Sequence, residues 1–198
     1  MNVVVNTAIA RSTTREMLAQ FDQRVRRFRP DVVVLMSGIN DCADRHAMGA
    51  EEFRANLLEF VRRAHDECGA EMILQTGCAV AGGRAGGRGR YPAFMDIVRE
   101  VAGQTASVLA DHHADWEATL RRNPAAYESW MSNRFHPGPL GHWVLASRLI
   151  RELRLGELDP KTAPRGASRT GPRGSGVRRS WIHGGGTGVK TSRRDAGR

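Results

Sequence analysis

The sequence predicts an α/β fold in which a parallel sheet lies between two layers of helices, as a three-layer sandwich. Short apolar runs alternate with helical patterns over the first 155 residues, which is typical of parallel strands joined by helices. One run, Val32–Leu35, contains no polar residue and indicates a strand covered on both faces. The length of 198 residues fits one such domain followed by a tail.

The first predicted element is a strand at Val3–Val5, a β-branched run. A helix should follow, capped by a hydroxyl from residues 12–14 and ended by Pro30. Residues 31–36 then form the buried strand. The apolar face of the helix comprises Met17, Leu18, Phe21 and Val25.

The second half of the domain continues the alternation of helices and strands. A long amphipathic pattern predicts a helix that Gly69 ends, and shorter patterns predict the elements that follow. The predicted helices are Ala50–Cys68, Tyr91–Gln104, Trp116–Arg122 and Leu140–Leu155, and the predicted strands are Met72–Leu74 and Ser107–Ala110.

The predicted domain, residues 1–155, ends where the composition changes. It carries 20 Lys and Arg against 18 Asp and Glu, whereas residues 156–198 carry 10 against 3. The positive charge therefore belongs mainly to the tail, and it gives no reason to expect a basic site on the domain. The tail is rich in Gly, Pro, Ser, Thr and Arg, which predicts disorder. Because Trp181 is its only aromatic residue, specific nucleic-acid binding is not expected.

The three cysteines, Cys42, Cys68 and Cys78, are odd in number and lack metal-ligand spacing. They predict reduced thiols and a cytoplasmic location. No apolar stretch approaches the ~18 residues of a membrane span. The first residues do not form a signal peptide, but a start further upstream would leave secretion open.

Two short motifs carry the candidate chemistry. Residues 135–142 read Phe-His-Pro-Gly-Pro-Leu-Gly-His, so a rigid turn holds His136 at the entrance of the last helix. A histidine has an ordinary pKa near 6.5, which suits proton transfer at neutral pH. Residues 38–41 read Gly-Ile-Asn-Asp directly after the buried strand. A side-chain amide such as that of Asn40 can donate to a developing oxyanion; the alternative is an ordinary Asn-Asp turn.

In this order the two motifs resemble those of the SGNH (GDSL-type), lysophospholipase-like ester hydrolases. The resemblance covers roughly residues 2–155 and implies a flavodoxin-like sandwich that hydrolyses a carboxylic ester or acetyl group through an acyl-enzyme. It implies that His136 is the base and then the acid, and that Asn40 donates in the oxyanion hole. The implied partner is a small-molecule ester substrate, with no cofactor.

Two family positions differ here. The family's Asp-x-x-His block corresponds to residues 133–136, so Asn133 occupies the aspartate position. An amide carries no charge to stabilise an imidazolium and can hold the wrong tautomer, a change that costs about 10⁴ in turnover in a serine protease. The family's second block aligns with residues 6–14. This alignment puts Ala8 at the glycine position, where its backbone N–H would be the second oxyanion donor.

The family's nucleophilic serine lies in a Gly-Asp-Ser block at the end of the first strand, and this sequence contains no such block. Ser12, Ser37 and Ser132 lie near the motifs, but none has the surroundings of a nucleophile elbow, so the nucleophile is unknown. We expect the first strand to be missing between the strands at residues 3–5 and 32–36, and the chain as written to be an inactive, N-terminally truncated hydrolase.

Two other groups of residues suggest sites of a different kind. Asp111, His112, His113 and Asp115 could suggest a metal cluster, but adjacent residues rarely chelate one ion, and no metal is expected. The glycine-rich residues 82–89 lack the Lys-Ser/Thr of a phosphate loop and indicate a flap or linker. The alternatives in other functional classes are a non-catalytic SGNH-like binding domain and a basic-tailed nucleic-acid binder.

Overall fold

The computed structural model describes residues 3–80 and 87–156, together with Pro164. Most of the predicted tail and most of the glycine-rich segment therefore lie outside the described residues. The helices are α1 (Thr14–Ala19), α2 (Phe21–Arg24), α3 (Ala50–Cys68), α4 (Tyr91–Gln104), α5 (His112–Arg122), α6 (Pro124–Trp130) and α7 (Pro139–Glu152). The strands are β1 (Val32–Met36), β2 (Glu71–Gln75) and β3 (Val108–Ala110).

The three strands form a parallel sheet in the order β1-β2-β3, flanked by helices, which confirms the predicted fold class. In the register, Val33 lies beside Met72 and Leu35 beside Leu74. These four side chains join the main core, with α3 and α4 supplying most of its aromatic and aliphatic partners. A second, smaller core joins α5, α6 and α7 around Trp116.

The N-terminal region differs from the prediction. Residues 3–5 are described but form no strand, and their side chains are exposed. The single predicted helix before Pro30 is divided into α1, α2 and a 3₁₀ turn at Arg26–Phe28. A β-branched run needs a neighbouring strand to pair with, and the run at residues 3–5 has none in the described part of the chain.

The predicted start of α1 is confirmed. Thr13 directly precedes the helix, and the Glu16 carboxylate accepts hydrogen bonds from its N–H and its hydroxyl. These hydrogen bonds lower the pKa of Glu16 below its ordinary value. Helices α3 and α4 also have the predicted bounds, and Gly69 ends α3 in a left-handed conformation with φ +68°.

β1 was predicted to be covered on both faces, and this prediction is wrong. Val33 and Leu35 are 8% exposed, but Val32, Val34 and Met36 are 40–49% exposed. Only one face of β1 therefore packs against the core. Among the helices of the described residues, none combines the length and apolar character that crossing a membrane requires.

Candidate active site

The turn at residues 38–41 follows β1 and is stabilised by the buried carboxylate of Asp41. Asp41 is fully buried and accepts hydrogen bonds from the Gly38 N–H at 3.0 Å and from the N–H and hydroxyl of Thr14 at 2.7 Å each. Gly38 has φ +108°, and a Cβ there would lie 2.5 Å from the Met95 methyl group. The turn therefore requires glycine and is fixed to the first residue of α1.

Asn40 lies in the turn that follows the carboxyl end of β1 and is half-buried. Its Nδ2 donates to the Ser12 carbonyl at 3.1 Å. A carboxamide nitrogen has two N–H groups, and the second makes no hydrogen bond within the described residues. Asn40 can therefore donate to a ligand while its first bond keeps the amide in place.

His136 is exposed and is oriented by Asn133. Its Nδ1 lies 2.9 Å from Asn133 Oδ1, and the same oxygen accepts the backbone N–H groups of Phe135 at 2.9 Å and His136 at 3.0 Å. Because two backbone donors identify that atom as the oxygen, Nδ1 of the ring must carry the proton. The lone pair then lies on Nε2. Asn133 therefore holds the tautomer that a general base needs, rather than the wrong one considered from the sequence.

The loop that carries His136 is packed on the start of α7. The Gly138 N–H donates to the Trp130 carbonyl at 2.7 Å, and the Ser132 N–H donates to the His136 carbonyl at 2.9 Å. A Cβ at Gly141 would lie 2.2 Å from the Trp130 carbonyl oxygen. Glycine at that position therefore lets the first turn of α7 close against the loop, so the backbone around His136 is fixed.

The two motif loops lie next to each other. Arg88 donates from Nε to the Ile39 carbonyl at 2.9 Å, and its guanidinium lies 4.5 Å from the centre of the Phe135 ring. Ile39 precedes Asn40 and Phe135 precedes His136 in the chain. One side chain thus contacts the neighbours of both candidate residues, as expected if the two share a cleft.

A groove of about 400 Å³ adjoins β1 and the turn that follows it. Residues 5–12 line one side, and residues 33–40 line the other, together with core side chains such as Phe60. The sequence predicts a missing strand between residues 3–5 and 32–36, and the groove lies between residues 5–12 and 33–40. That a strand is missing there stays a prediction. Because Asn40 is among the lining residues, the groove opens directly onto the candidate oxyanion donor.

Ala8 lines this groove, but its N–H already has a partner. It donates to the Asn6 side-chain oxygen at 3.0 Å. An oxyanion role for the Ala8 N–H would therefore require that local bond to break, and the role stays a prediction. Nearby, Arg11 has φ 66°, in the left-handed region that favours glycine.

No serine in the described part of the chain hydrogen-bonds the His136 ring. Ser12 is buried and lies 3.4 Å from the Arg24 guanidinium, while the Ser132 hydroxyl donates to the His136 carbonyl at 3.1 Å. Burial raises the pKa of the Cys42 and Cys78 thiols to about 11, so neither is a thiolate at neutral pH. These residues therefore do not supply an activated nucleophile.

The acidic and histidine residues at the start of α5 have structural partners. Burial alone would raise the pKa of Asp111, but the hydrogen bonds and charge of Arg99 lower it below its ordinary value. His112 is buried and its Nε2 lies 2.8 Å from Gln75 Oε1; burial lowers its pKa to about 4. No group of three metal-ligating side chains occurs within the described residues.

The sequence is similar to a known family and to a characterised esterase. Residues 1–144 match the model of the GDSL-like lipase/acylhydrolase family. The chain is 28% identical over 160 residues to an acetylxylan esterase from Geobacillus stearothermophilus, a stretch that covers 76% of this chain and 71% of the relative.

Solved structures of related fold include Axe2, an acetylxylan esterase from the same organism. It has a TM-score of 0.65 and 26% identity, covering 75% of this chain and 71% of that chain. A lipase/acylhydrolase from Enterococcus faecalis has a TM-score of 0.62 and 22% identity, over 73% of this chain and 71% of its own, and shows the fold alone.

Three structures of Axe2 are described as catalytic mutants, with a serine, an aspartate or a histidine replaced by alanine. In Axe2 that aspartate precedes that histidine by three residues. Asn133 and His136 have the same spacing here.

Proposed function

The chain belongs to the GDSL-like lipase/acylhydrolase family, and we propose that its domain is an ester hydrolase that becomes active when a β-strand carrying a serine occupies the groove along β1. The observation that carries the proposal is the groove itself. It adjoins β1 and reaches Asn40, and Arg88 connects the Asn40 loop to the His136 loop. A serine at the end of a strand in this groove would lie beside Asn40, and the contacts of Arg88 bring the His136 loop next to the Asn40 loop.

The backbone of β1 supports the addition of a strand. The Asp31 carbonyl accepts the Glu71 N–H, so the odd-numbered residues of β1 direct their peptide groups towards β2. The even-numbered residues, Val32, Val34 and Met36, direct theirs away from β2. Within the described residues β1 pairs only with β2. A parallel strand would satisfy these peptide groups and would end at the carboxyl edge of the sheet, where α/β folds place their sites.

The chemistry follows from the tautomer of His136. Nε2 takes the proton of the serine hydroxyl as the oxygen attacks the ester carbonyl, and the Asn40 amide donates to the oxyanion that forms. His136 then protonates the departing alcohol, which leaves an acyl-serine. Water attacks this acyl group with His136 again as base, and the carboxylic acid is released. Throughout these steps Asn133 keeps Nδ1 protonated but contributes no charge.

The substrate class that we propose is a small-molecule ester with a short acyl group, such as an acetyl ester. The support is the 28% identity to an acetylxylan esterase and the structural similarity to Axe2. The cytoplasmic location predicted from the cysteines stays a prediction.

The test is hydrolysis of p-nitrophenyl acetate by two forms of the protein. One is the chain as written. The other, the strand-extended form, carries an additional N-terminal segment designed as a β-strand that ends in Gly-Asp-Ser. We expect hydrolysis only from the strand-extended form, and a loss of at least ~10³ in kcat on His136→Ala. His142→Ala, an exposed histidine six positions later, is the matched control and should leave kcat unchanged.

Two outcomes would contradict the proposal. A strand-extended form that folds but does not hydrolyse the ester would favour the non-catalytic binding domain. His136-dependent turnover by the chain as written would mean that the nucleophile is already present, and Ser12 would be the first residue to test.

A further inference from the structure

Arg88 joins the two loops that carry the proposed catalytic residues. Its Nε donates to the Ile39 carbonyl at 2.9 Å, and its guanidinium carbon lies 4.5 Å from the centre of the Phe135 ring. Ile39 and Phe135 lie far apart in the sequence, but each directly precedes a proposed catalytic residue. The half-buried Arg88 side chain thus connects the backbone of Ile39, next to Asn40, with the side chain of Phe135, next to His136.

The contact uses properties that are particular to arginine. A guanidinium is planar, so it can lie over an aromatic ring while an N–H on its edge donates within the same plane. A lysine has a compact ammonium group and cannot make both contacts with the same geometry. The arrangement therefore depends on the shape of the side chain as well as on its charge.

The segment that carries Arg88 is itself attached to the loop after Asn40. The Gly87 carbonyl accepts the Asp44 N–H at 3.0 Å, and the Arg90 guanidinium donates to the carbonyls of Met48 at 2.8 Å and Cys42 at 3.2 Å. The backbone around Arg88 is therefore fixed to the loop that follows Asn40. The Arg88 side chain contacts Phe135, in the loop that carries His136.

The other side of the contact is also held. The Phe135 carbonyl lies 3.8 Å from the Cys78 Sγ, and its N–H donates to Asn133 Oδ1 at 2.9 Å. Phe135 thus has a fixed backbone, and Arg88 covers its ring. A change at Arg88 should alter the position of one loop relative to the other rather than unfold either loop.

We propose that Arg88 is a positioning residue that sets the separation of Asn40 and His136. It acts through Ile39 and Phe135, without contacting the reacting atoms, and the inference rests on the proposed function of the site. A displacement of about 1 Å between catalytic groups can cost ~10² in rate without changing how tightly substrate binds. Loss of Arg88 should therefore lower kcat and leave KM nearly unchanged.

The kinetic experiment uses the strand-extended form with Arg88→Met and Arg88→Lys. We expect both to lower kcat by ~10- to 100-fold with KM within about threefold, because neither side chain can stack and donate as arginine does. The control is Arg54→Met, which removes an arginine that pairs with Glu100 between α3 and α4. It should leave kcat unchanged. Full activity in Arg88→Lys would overturn the proposal, since charge alone would then suffice.

A second readout uses the chain as written and needs no activity. In heteronuclear NMR spectra, Arg88→Lys should shift both the Asn40 side-chain amide and the His136 ring signals, whereas Arg54→Met should shift neither. If only one of the two signals moved, Arg88 would not connect the loops, and the proposal would fail. Because this measurement does not involve hydrolysis, it also decides the matter if the strand-extended form proves inactive.

Discussion

Strands β1 and β2 have similar apolar sequences but opposite surroundings. In β2, Met72, Ile73 and Leu74 are 1–5% exposed although their side chains alternate between the two faces of the sheet. In β1, Val33 and Leu35 are 8% exposed, whereas Val32 and Val34 remain 49% and 46% exposed. β2 is therefore a complete inner strand, and β1 is enclosed on one face and one edge only.

The apolar sequence of β1 suits a strand that is covered on both faces and paired on both edges. Within the described residues β1 is covered on one face and paired on one edge. An edge strand usually carries charges, proline or a bulge that discourage further pairing. β1 has none of these features, and its outer face is Val, Val and Met. Its composition is that of an inner strand, which agrees with the proposed addition of a strand in the groove.

Substitutions at two neighbouring residues of β1, Leu35 and Val34, should differ strongly in how much they destabilise the protein. Leu35→Ala removes a side chain from the main core and should lower the free energy of unfolding by ~2–5 kcal/mol. Val34→Ala changes a side chain that is nearly half exposed and should cost less than about 1 kcal/mol in the chain as written. Chemical denaturation measures both values. Equal losses for the two variants would mean that Val34 is covered in solution.

A second prediction concerns the pH dependence of stability. His112 is buried beside Gln75, at the end of the inner strand β2. Burial lowers the pKa of His112 to about 4 from an ordinary 6.5, so on acidification the unfolded chain takes up the proton first. The stabilisation is therefore present above pH 6.5 and is lost as the pH falls towards 4, by roughly 3 kcal/mol for this group.

The test is the pH dependence of the free energy of unfolding for His112→Gln. This variant should flatten the slope between pH 6.5 and 4, although burial also lowers the pKa of His113 and should leave a residual slope. His142→Gln, at an exposed position, is the control and should leave the slope unchanged. An undiminished slope in His112→Gln would contradict the burial of an uncharged His112.

The smallest predicted change is in the kcat of a variant in the His136 loop. The hydrogen bonds of this loop are already formed in the chain as written. In the proposed mechanism Asn133 already holds the tautomer with the lone pair on Nε2, so Asn133→Asp should add only a charge. We expect ~10-fold higher kcat in the strand-extended form, rather than the ~10⁴ that correction of a wrong tautomer would give. An increase in kcat near ~10⁴ would show that the assigned tautomer is wrong.

Local patterns in the sequence were sufficient for most of the fold. The bounds of α3 and α4 were predicted from apolar periodicity together with Gly69, and β1 and β2 from short apolar runs. Helix α6 was not predicted, because its seven residues follow α5 directly and are too few to establish a periodic pattern. The strand predicted at residues 3–5 was wrong because a strand depends on a partner that local sequence does not reveal.

The candidate site was only partly predictable. The resemblance to a family identified His136 and Asn40 as candidates, but not the contacts that hold them. Asp41 lay within a recognised motif, yet its bonds to Thr14 depend on the tertiary structure. Arg88 lay at the end of a glycine-rich run and gave no signal of its own. The tautomer of His136 follows from two backbone N–H groups, which no sequence pattern encodes.

Backbone amide hydrogen exchange in β1, compared between the chain as written and the strand-extended form, tests the proposed addition of a strand. The amides of Val34 and Met36 face away from β2 and should exchange rapidly in the chain as written. In the strand-extended form they should become protected, while those of Val33 and Leu35, which face β2, are protected in both forms. Rapid exchange at Val34 and Met36 in a folded strand-extended form would contradict the claim that the groove along β1 receives a strand.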